Sequence, residues 1–451
     1  MIRVGSGKAD ITPPVGLPLS GFAVRQNRPS VAIDDALSVK ALALESGAER
    51  YLLLSYDLLG FDAELDASLR AALQSAFGAR LPDSQVLITT THTHSAPPTM
   101  PIAGETRVPE PYIQKILAAT LAAASAAFEG LAEAQLFHAC THLEGINHNR
   151  RRYLLPAEGP ERFPLDNSLD WFVFKTPQGA CLGSLLRFAC HAVTMTDQHV
   201  SADFPGELTR RLEAQLGAPV LYLQGASGDA NPTTQSRDHA AMLAFVDAIM
   251  PQLADLPGRL APVALEQVRL AAASFPLEFA PLPGREAVLA KVAQNERILA
   301  GDQTSADLQP LLQEYSTWRY ASEPVTPAIA VHWAAVFKEV AQVTLKAVEA
   351  SDEHAGAPFR AVLWQLGPFP FVFLSGEILT SVGRRIQALA PEKPVQVIGY
   401  LSPVVGYIAG PDDNRLGGYE TDAAWRWYHQ PGPFREDVEE TVLAQVRALL
   451  G

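Results

Sequence analysis

The chemistry in this 451-residue chain starts at Thr89-Thr90-Thr91-His92-Thr93-His94-Ser95-Ala96-Pro97, where two imidazoles stand one residue apart. The apolar run Val86-Leu87-Ile88 leads into it and prolines follow, a pattern that predicts a buried strand whose C-terminal end emerges at a surface. Side chains alternate along a strand, so His92 and His94 are expected on one face. Two neutral imidazoles aimed the same way make half of a zinc-type metal site, and neighbouring strands can supply the remaining ligands. A His-X-His pair on its own is as readily structural.

Four further stretches bring polar groups to strand ends. Arg187-Phe188-Ala189-Cys190-His191 delivers His191 after an apolar strand, a setting where a single histidine is commonly a satisfied core or loop residue. Phe371-Val372-Phe373-Leu374-Ser375-Gly376-Glu377 carries Glu377 to the predicted start of a helix, where a carboxylate also complements the helix dipole. The C-terminal ends of strands are nonetheless where α/β sheets place their sites. In Leu223-Gln224-Gly225-Ala226-Ser227-Gly228-Asp229-Ala230-Asn231-Pro232, Asp229 and Asn231 either line a pocket or bond the turn backbone. The run from Gly399 to Tyr407, with Tyr419 beyond it, offers tyrosines that either act or simply pack.

The elements that must position these groups read as an α/β fold. Lys8 to Gly16 is a turn-rich opening, followed by strands at Ser38 to Leu44 and Arg50 to Tyr56, a helix from Ala63 to Phe77, the histidine strand, and a helix from Glu110 to Phe128. Short strands fill Ala134 to Arg187, with a hairpin turn at Thr176-Pro177-Gln178-Gly179. The α/β order resumes at Phe204 to Leu216, Val220 to Leu223 and Arg237 to Leu253. Leu277 to Asp352 is mostly helical, either an insertion that acts as a lid or an ordinary helical layer. Strands at Arg360 to Leu366 and Phe369 to Leu374, a helix from Glu377 to Leu389, a strand from Val395 to Leu401 and a helix from Arg435 to Leu450 complete the chain. No internal repeat is evident.

Composition narrows the partners. Lys+Arg 35 against Asp+Glu 49 gives a net charge of −14, and no basic run interleaves with aromatics, so nucleic acid is excluded as a partner. Cys140, Cys181 and Cys190 are too few and too scattered for a disulfide framework or a cysteine zinc site, and are read as buried thiols in a reducing compartment. No apolar stretch reads as a transmembrane segment. Met1 to Gly7 lacks the apolar region of a secretion signal, so a cytoplasmic location is expected.

The order THTHSAP, INHNRRRY, FACHAVTM, SADFPG, LQGASGDANP, LSGEILTSVGRR and LSPVVGYIAGP with GGYE beyond resembles the catalytic domain of the neutral ceramidase family, amidases that split the N-acyl bond of sphingolipids. The resemblance runs from the DITPPVG opening to about Tyr428. It implies one mixed-sheet ceramidase-type catalytic domain over residues 1–451, within which residues 277–352 are either a helical insertion or lid or an ordinary helical layer. It also implies one Zn²⁺ per chain held by His92, His191, Glu377 and Tyr407. His94 lies beside the metal in that pattern, Tyr419 matches the family's second tyrosine, and the family's arginine falls on Arg150, with Arg151 and Arg152 as neighbours that could replace it.

The expected reaction is attack on a linear N-acyl amide by a metal-activated water. Tyr419 and Arg150 are expected to stabilise the oxyanion, His94 to pass the proton to the departing amine, and Asp229 or Asp203 to orient a ligand imidazole. Asn231 replaces the family's serine at a position expected to contact substrate, so the substrate is either ceramide-like or a smaller N-acyl compound. The chain is read as a short member without the family's C-terminal immunoglobulin-like domain. Two other functions fit the same residues: a metal-dependent esterase or lactonase, and a catalytically silent binding protein that keeps its zinc. Neither the acyl chain nor the oligomeric state is readable from these residues.

Overall fold

One run of elements, two antiparallel strands, a helix and a strand returning parallel to the second, occurs three times in the computed structural model, which describes residues 2–22, 25–154, 162–234, 236–266, 268–301, 327–350 and 356–451. The first unit joins Ser38–Ser46, Glu49–Tyr56, the helix Ala63–Phe77 and Val86–Thr90. The second joins Ser168–Lys175, Cys181–Phe188, the helix Asp203–Leu216 and Val220–Gln224. The third joins Gly356–Leu366, Phe369–Leu374, the helix Thr380–Gln387 and Gln396–Ile398. Each unit anchors its own sheet. The sequence reading found no repeat because the three share topology and not residues.

Period-two alternation explains how the sheets pack. Leu42, Leu53, Leu87, Phe172, Leu185, Leu221, Trp364 and Phe371, drawn from all three sheets, share one central core. Their neighbours along the strands face outward against each unit's own helices: Ala43, Leu54 and Ile88 in the first, Trp171 and Leu186 in the second, Leu363 and Val372 in the third. Strands buried on both faces read as continuous apolar runs, which is why Tyr51-Leu52-Leu53-Leu54 and Phe371-Val372-Phe373-Leu374 stand out in the sequence.

The helix Ala63–Phe77 falls where its periodicity predicts. Asp62 caps it by accepting from Leu65 N at 2.8 Å, and Leu65, Leu69 and Leu73 form its buried stripe. The N-terminus differs from expectation. Ile2–Asp10 is a nine-residue strand reaching into the stretch read as turn-rich. A Cβ on Gly5 or Gly7 would lie 2.2 or 2.1 Å from the carbonyl oxygens of Ala127 and Ala123, so these glycines let the helix Glu110–Glu129 lie against the strand.

The predicted helical insertion falls between two antiparallel neighbours, Val268–Glu278 and Gly356–Leu366, the first of which the sequence reading missed. Helices Arg285–Leu299 and Pro327–Ala350 occupy the described part. Residues 302–326 and 351–355 of that expectation lie outside the described residues. One helical run among the described residues, His239–Arg259, is long and apolar enough to cross a membrane by length and composition. Its Met242, Phe245, Val246 and Ile249 are buried in the second unit's outer core. Cys190 is buried as expected, whereas Cys140 and Cys181 are half-buried free thiols on strands of the second sheet.

A buried ion pair braces the second sheet behind the site. The Arg187 guanidinium bonds Asp166 and donates to Ser168 Oγ at 2.9 Å, with Arg187 and Asp166 both buried. Burial alone raises the Asp166 carboxyl, but Arg187 and the Ser168 hydroxyl outweigh it and hold it at about 2, below its ordinary 3.8. Its folded value is depressed, so its contribution is complete above the unfolded value and lost as pH falls through about 2. Arg187→Met leaves the buried Asp166 carboxylate with only the more exposed Arg384, 3.8 Å away, and is expected to cost about 3 kcal/mol. In the variant, urea-unfolding stability should rise as pH drops from neutral toward the range where Asp166 becomes protonated. A stability equal to the parent's at neutral pH would refute this.

Candidate metal centre

The carboxyl ends of the three parallel strand pairs meet at one place. Gly399 N donates to Gln224 O at 3.0 Å, Ser402 N to Ile88 O at 2.9 Å, and Gln224 Nε2 to Thr91 O at 3.2 Å, which ties the three sheet ends together. His191 and Glu377 occupy matching positions, each the third residue past the second strand of its unit. His92 and Tyr400 also match, each two residues past a unit's last strand and each left-handed, with φ of 62° and 58°.

Two local expectations are corrected here. The histidine strand ends at Thr90, so His92 and His94 do not share a face by strand alternation. The left-handed turn at His92 aims both rings at the same space, with centroids 4.9 Å apart and planes at 82°. Glu377 does not open a helix. Glu377–Ile378 pairs in parallel with Tyr407–Ile408, which sets Glu377 beside Tyr407, and the helix starts only at Thr380.

His92, His94 and His191 place ring nitrogens within 4.8 Å of one another. His92 Nδ1 lies 2.7 Å from Leu59 O, and His191 Nδ1 lies 3.0 Å from Ser227 O. A carbonyl can only accept, so Nδ1 carries a proton in each ring and Nε2 is the nitrogen turned toward the site. Among the described residues both Nε2 atoms are buried without a hydrogen-bond partner, as are both nitrogens of His94. They face the Glu377 carboxylate, whose Oε2 is 3.3 Å from His92 Nε2 and 3.4 Å from His191 Nε2. Burial, reinforced by His92, pushes His94 and His191 well below the ordinary imidazole range, which keeps them neutral.

Tyrosines surround that carboxylate. Tyr428 donates to Glu377 Oε1, and Tyr400 donates to Oε2 at 3.2 Å while sharing a 3.2 Å bond with Ser227 Oγ. Burial raises the Glu377 carboxyl, but His92, the Tyr428 hydroxyl and Arg150 outweigh it and hold it below its ordinary value. Tyr400 and Tyr428 were not singled out as site residues. Tyr400 fell inside the stretch read as the strand Val395 to Leu401, in a run whose tyrosines could equally have packed.

Arg150 is the arginine that faces the site. Its Nη2 donates to the Tyr407 hydroxyl at 3.0 Å, and its guanidinium lies 5.6 Å from the centre of the Tyr419 ring. Glu420, buried and also missed, holds it through Nε at 2.7 Å and accepts from Arg151 Nη1 at 2.5 Å. Arg151 also reaches the carbonyls of Asp413 and Gly417, while Arg152 lies over the Tyr153 ring. Burial and Glu377 raise the Tyr407 phenol well above its ordinary value, with Arg150 opposing them. Its phenolate therefore depends on a nearby cation.

Three expected roles change. Asp229 touches no imidazole: it accepts from Thr380 N at 2.8 Å, Thr380 Oγ1 at 2.6 Å and Asn149 Nδ2 at 2.7 Å. Asp203 likewise accepts from Thr194 and the Phe204 backbone. Backbone carbonyls, whose positions no residue type reveals, orient the imidazoles instead. Asn231 stands behind Arg150, 3.4 Å from Nη1, and is not part of the cavity wall.

The cavity that opens on these groups measures about 250 Å³. His92, His94, Glu377, Tyr407 and Tyr419 form its polar end, and Phe22, Ile102, Trp333 and Trp427 its apolar walls. Trp333 comes from the inserted helix and packs edge-on against Trp427 at 4.9 Å. Gly21 lies so close to His94 that a Cβ there would meet Nδ1 at 2.3 Å.

Residues 2–228 match the family model of the neutral/alkaline non-lysosomal ceramidase N-terminal domain. Among solved structures, neutral ceramidase from Pseudomonas aeruginosa superposes at a TM-score of 0.72 over 99% of this chain and 73% of its own, with 16% identity. A ceramidase complexed with C2 superposes at 0.70 over 99% and 74%, with 14% identity. At these identities the likeness is one of fold, a mixed α/β architecture.

Proposed function

Because the chain belongs to the neutral/alkaline non-lysosomal ceramidase family, we propose that it is a zinc-dependent amidohydrolase cleaving a linear N-acyl amide. The observation that carries this reading is the convergence of two partnerless Nε2 atoms on the Glu377 carboxylate in a buried space. Buried nitrogens without partners are costly unless something binds them. Two neutral imidazoles, a carboxylate and a phenol suit zinc. His92, His191, Glu377 and Tyr407 would hold the ion, and when bound it supplies a Lewis acid and an acidified water.

The remaining work belongs to the chain's own side chains. Tyr419 and Arg150 donate hydrogen bonds to the substrate carbonyl oxygen as charge builds on it. Glu420 fixes Arg150 for that task, and Tyr400 and Tyr428 fix Glu377. His94, neutral and without a hydrogen-bond partner, takes a proton and delivers it to the departing amine. Phe22, Trp333 and Trp427 exclude water from the apolar end.

A cavity of about 250 Å³ lies just below the roughly 300–1,000 Å³ usual for drug-sized ligands. It accommodates a short acyl group and an amine better than a long-chain lipid held entirely within it. Elemental analysis of the purified protein, run beside hydrolysis of a short and a long N-acyl amide with and without chelator, tests the reading. Zinc bound in the cavity, with chelator-sensitive cleavage favouring the short amide, is expected. Cleavage of esters but not amides would move the function to the esterase reading, and a protein that neither holds zinc nor hydrolyses would leave a binding role.

A further inference from the structure

We infer that the chain carries a second cation site, outside the cavity, built from Asp34, Asp197, His199 and His239. Ligand atoms of Asp34, Asp197 and His199 all lie within 4.8 Å of one another. His199 Nδ1 is 3.0 Å from Asp34 Oδ2 and 3.9 Å from Asp197 Oδ2. His239 approaches the same Asp34 oxygen from another element, with Nδ1 at 3.6 Å. That nitrogen is buried and has no hydrogen-bond partner among the described residues.

The charges point to a cation. Neither Asp34 nor Asp197 pairs with a lysine or arginine among the described residues; histidines are their only ion partners. Arg25 feels the Asp197 charge but forms no ion pair with it, and its N–H groups go to the carbonyls of Ser20, His94, Thr196 and Asp197 and to Ser95 Oγ. Two carboxylates and two imidazoles carry a net charge of −2 when the rings are neutral, and this mixed nitrogen and oxygen set matches the ligands zinc takes. The ordinary alternative, a hydrogen-bonded His–Asp pair, accounts for His199 and leaves His239 Nδ1 buried without a hydrogen-bond partner among the described residues.

The position suggests what such an ion does. Asp34 follows the strand Ala32–Ile33, which pairs in parallel with His199–Val200, and His239 opens the helix His239–Ile249. A shared ion ties three distant segments together. One of them, the stretch after His191, also bonds the histidine loop, because Ser201 N donates to Ser95 O at 2.9 Å. The ion is therefore structural, bracing the loops that carry His94 and His191 from behind.

The test uses the full chain, stripped by chelator and titrated with Zn²⁺ alone, with bound metal measured directly. The expected result is two equivalents in the parent, one in Asp34→Asn and one in His239→Gln, with affinity for the lost equivalent down at least ~100-fold. His191→Ala should lose the other equivalent and keep this one, and added Zn²⁺ should still raise its melting temperature. In His191→Ala combined with His199→Gln that rise should vanish. A parent whose only equivalent is lost in His191→Ala, or an Asp34→Asn and a His239→Gln that both still take as many equivalents as the parent, overturns the site. Because His191→Ala reads the cavity's metal separately, failure there is distinguishable from failure here.

Discussion

Glu377→Gln is expected to empty the metal centre and lower kcat/KM by at least ~10³-fold, about 4 kcal/mol of transition-state stabilisation. The substitution keeps size and one oxygen acceptor, so Tyr428 keeps its partner while Tyr400, which donates to Oε2, must turn to accept from the new amide. It removes the one formal negative charge among the groups facing His92 Nε2 and His191 Nε2. The new amide also brings hydrogen-bond donors into that cluster, which satisfy the two lone pairs that an ion would otherwise take. Metal content per chain should fall from about one to under about a tenth in the cavity, and the melting temperature should stop responding to zinc there. An E377Q protein with full zinc and full rate would show that the carboxylate is not a ligand.

Tyr419→Phe is expected to do the opposite to binding and nearly the same to rate. The metal should stay, because none of the proposed ligands changes, while kcat falls by about 10²–10³-fold, the usual effect of removing one oxyanion donor. Burial and Glu377 raise the Tyr419 phenol above its ordinary value, so it remains a donor through the alkaline range. KM should therefore move little, and the pH–rate profile should drop in height without changing shape. Metal content, kcat and KM measured on one preparation separate this from a folding defect. An unchanged kcat would leave Arg150, already within 3.0 Å of the Tyr407 hydroxyl, as the principal donor.

Much of the fold was legible because its signals are local. Asp62 before a leucine stripe marks the first crossover helix to the residue, and Phe369–Leu374 reads as a strand from its apolar run. What failed depended on contacts distant in sequence. Ile2–Asp10 hides because Gly5 and Gly7 serve a helix more than a hundred residues away. Glu377 looks like a helix start until Tyr407 is seen pairing with it.

The site divides in the same way. His92, His191, Glu377, Tyr407, Arg150 and Tyr419 are brought together by the structure, and motif order had singled out each of them. Glu420 and Tyr428 are visible only through what they touch. Asp229 was misread for the converse reason: a carboxylate in a glycine-rich turn looks available, yet its oxygens are spent on Thr380 and Asn149.

The three proposed anchors His92, His191 and Glu377 each come from a different unit of the threefold topology, so no one or two units can assemble the centre. A cation in the cavity would then find no complete site until the last sheet docks, and its affinity there would become a readout of completed assembly. Partly built chains go unrewarded, while each tenfold rise in free zinc above the dissociation constant deepens the finished state by about 1.4 kcal/mol. Zinc supply would in this way set how long the protein survives in the cell, independently of how fast it turns over substrate.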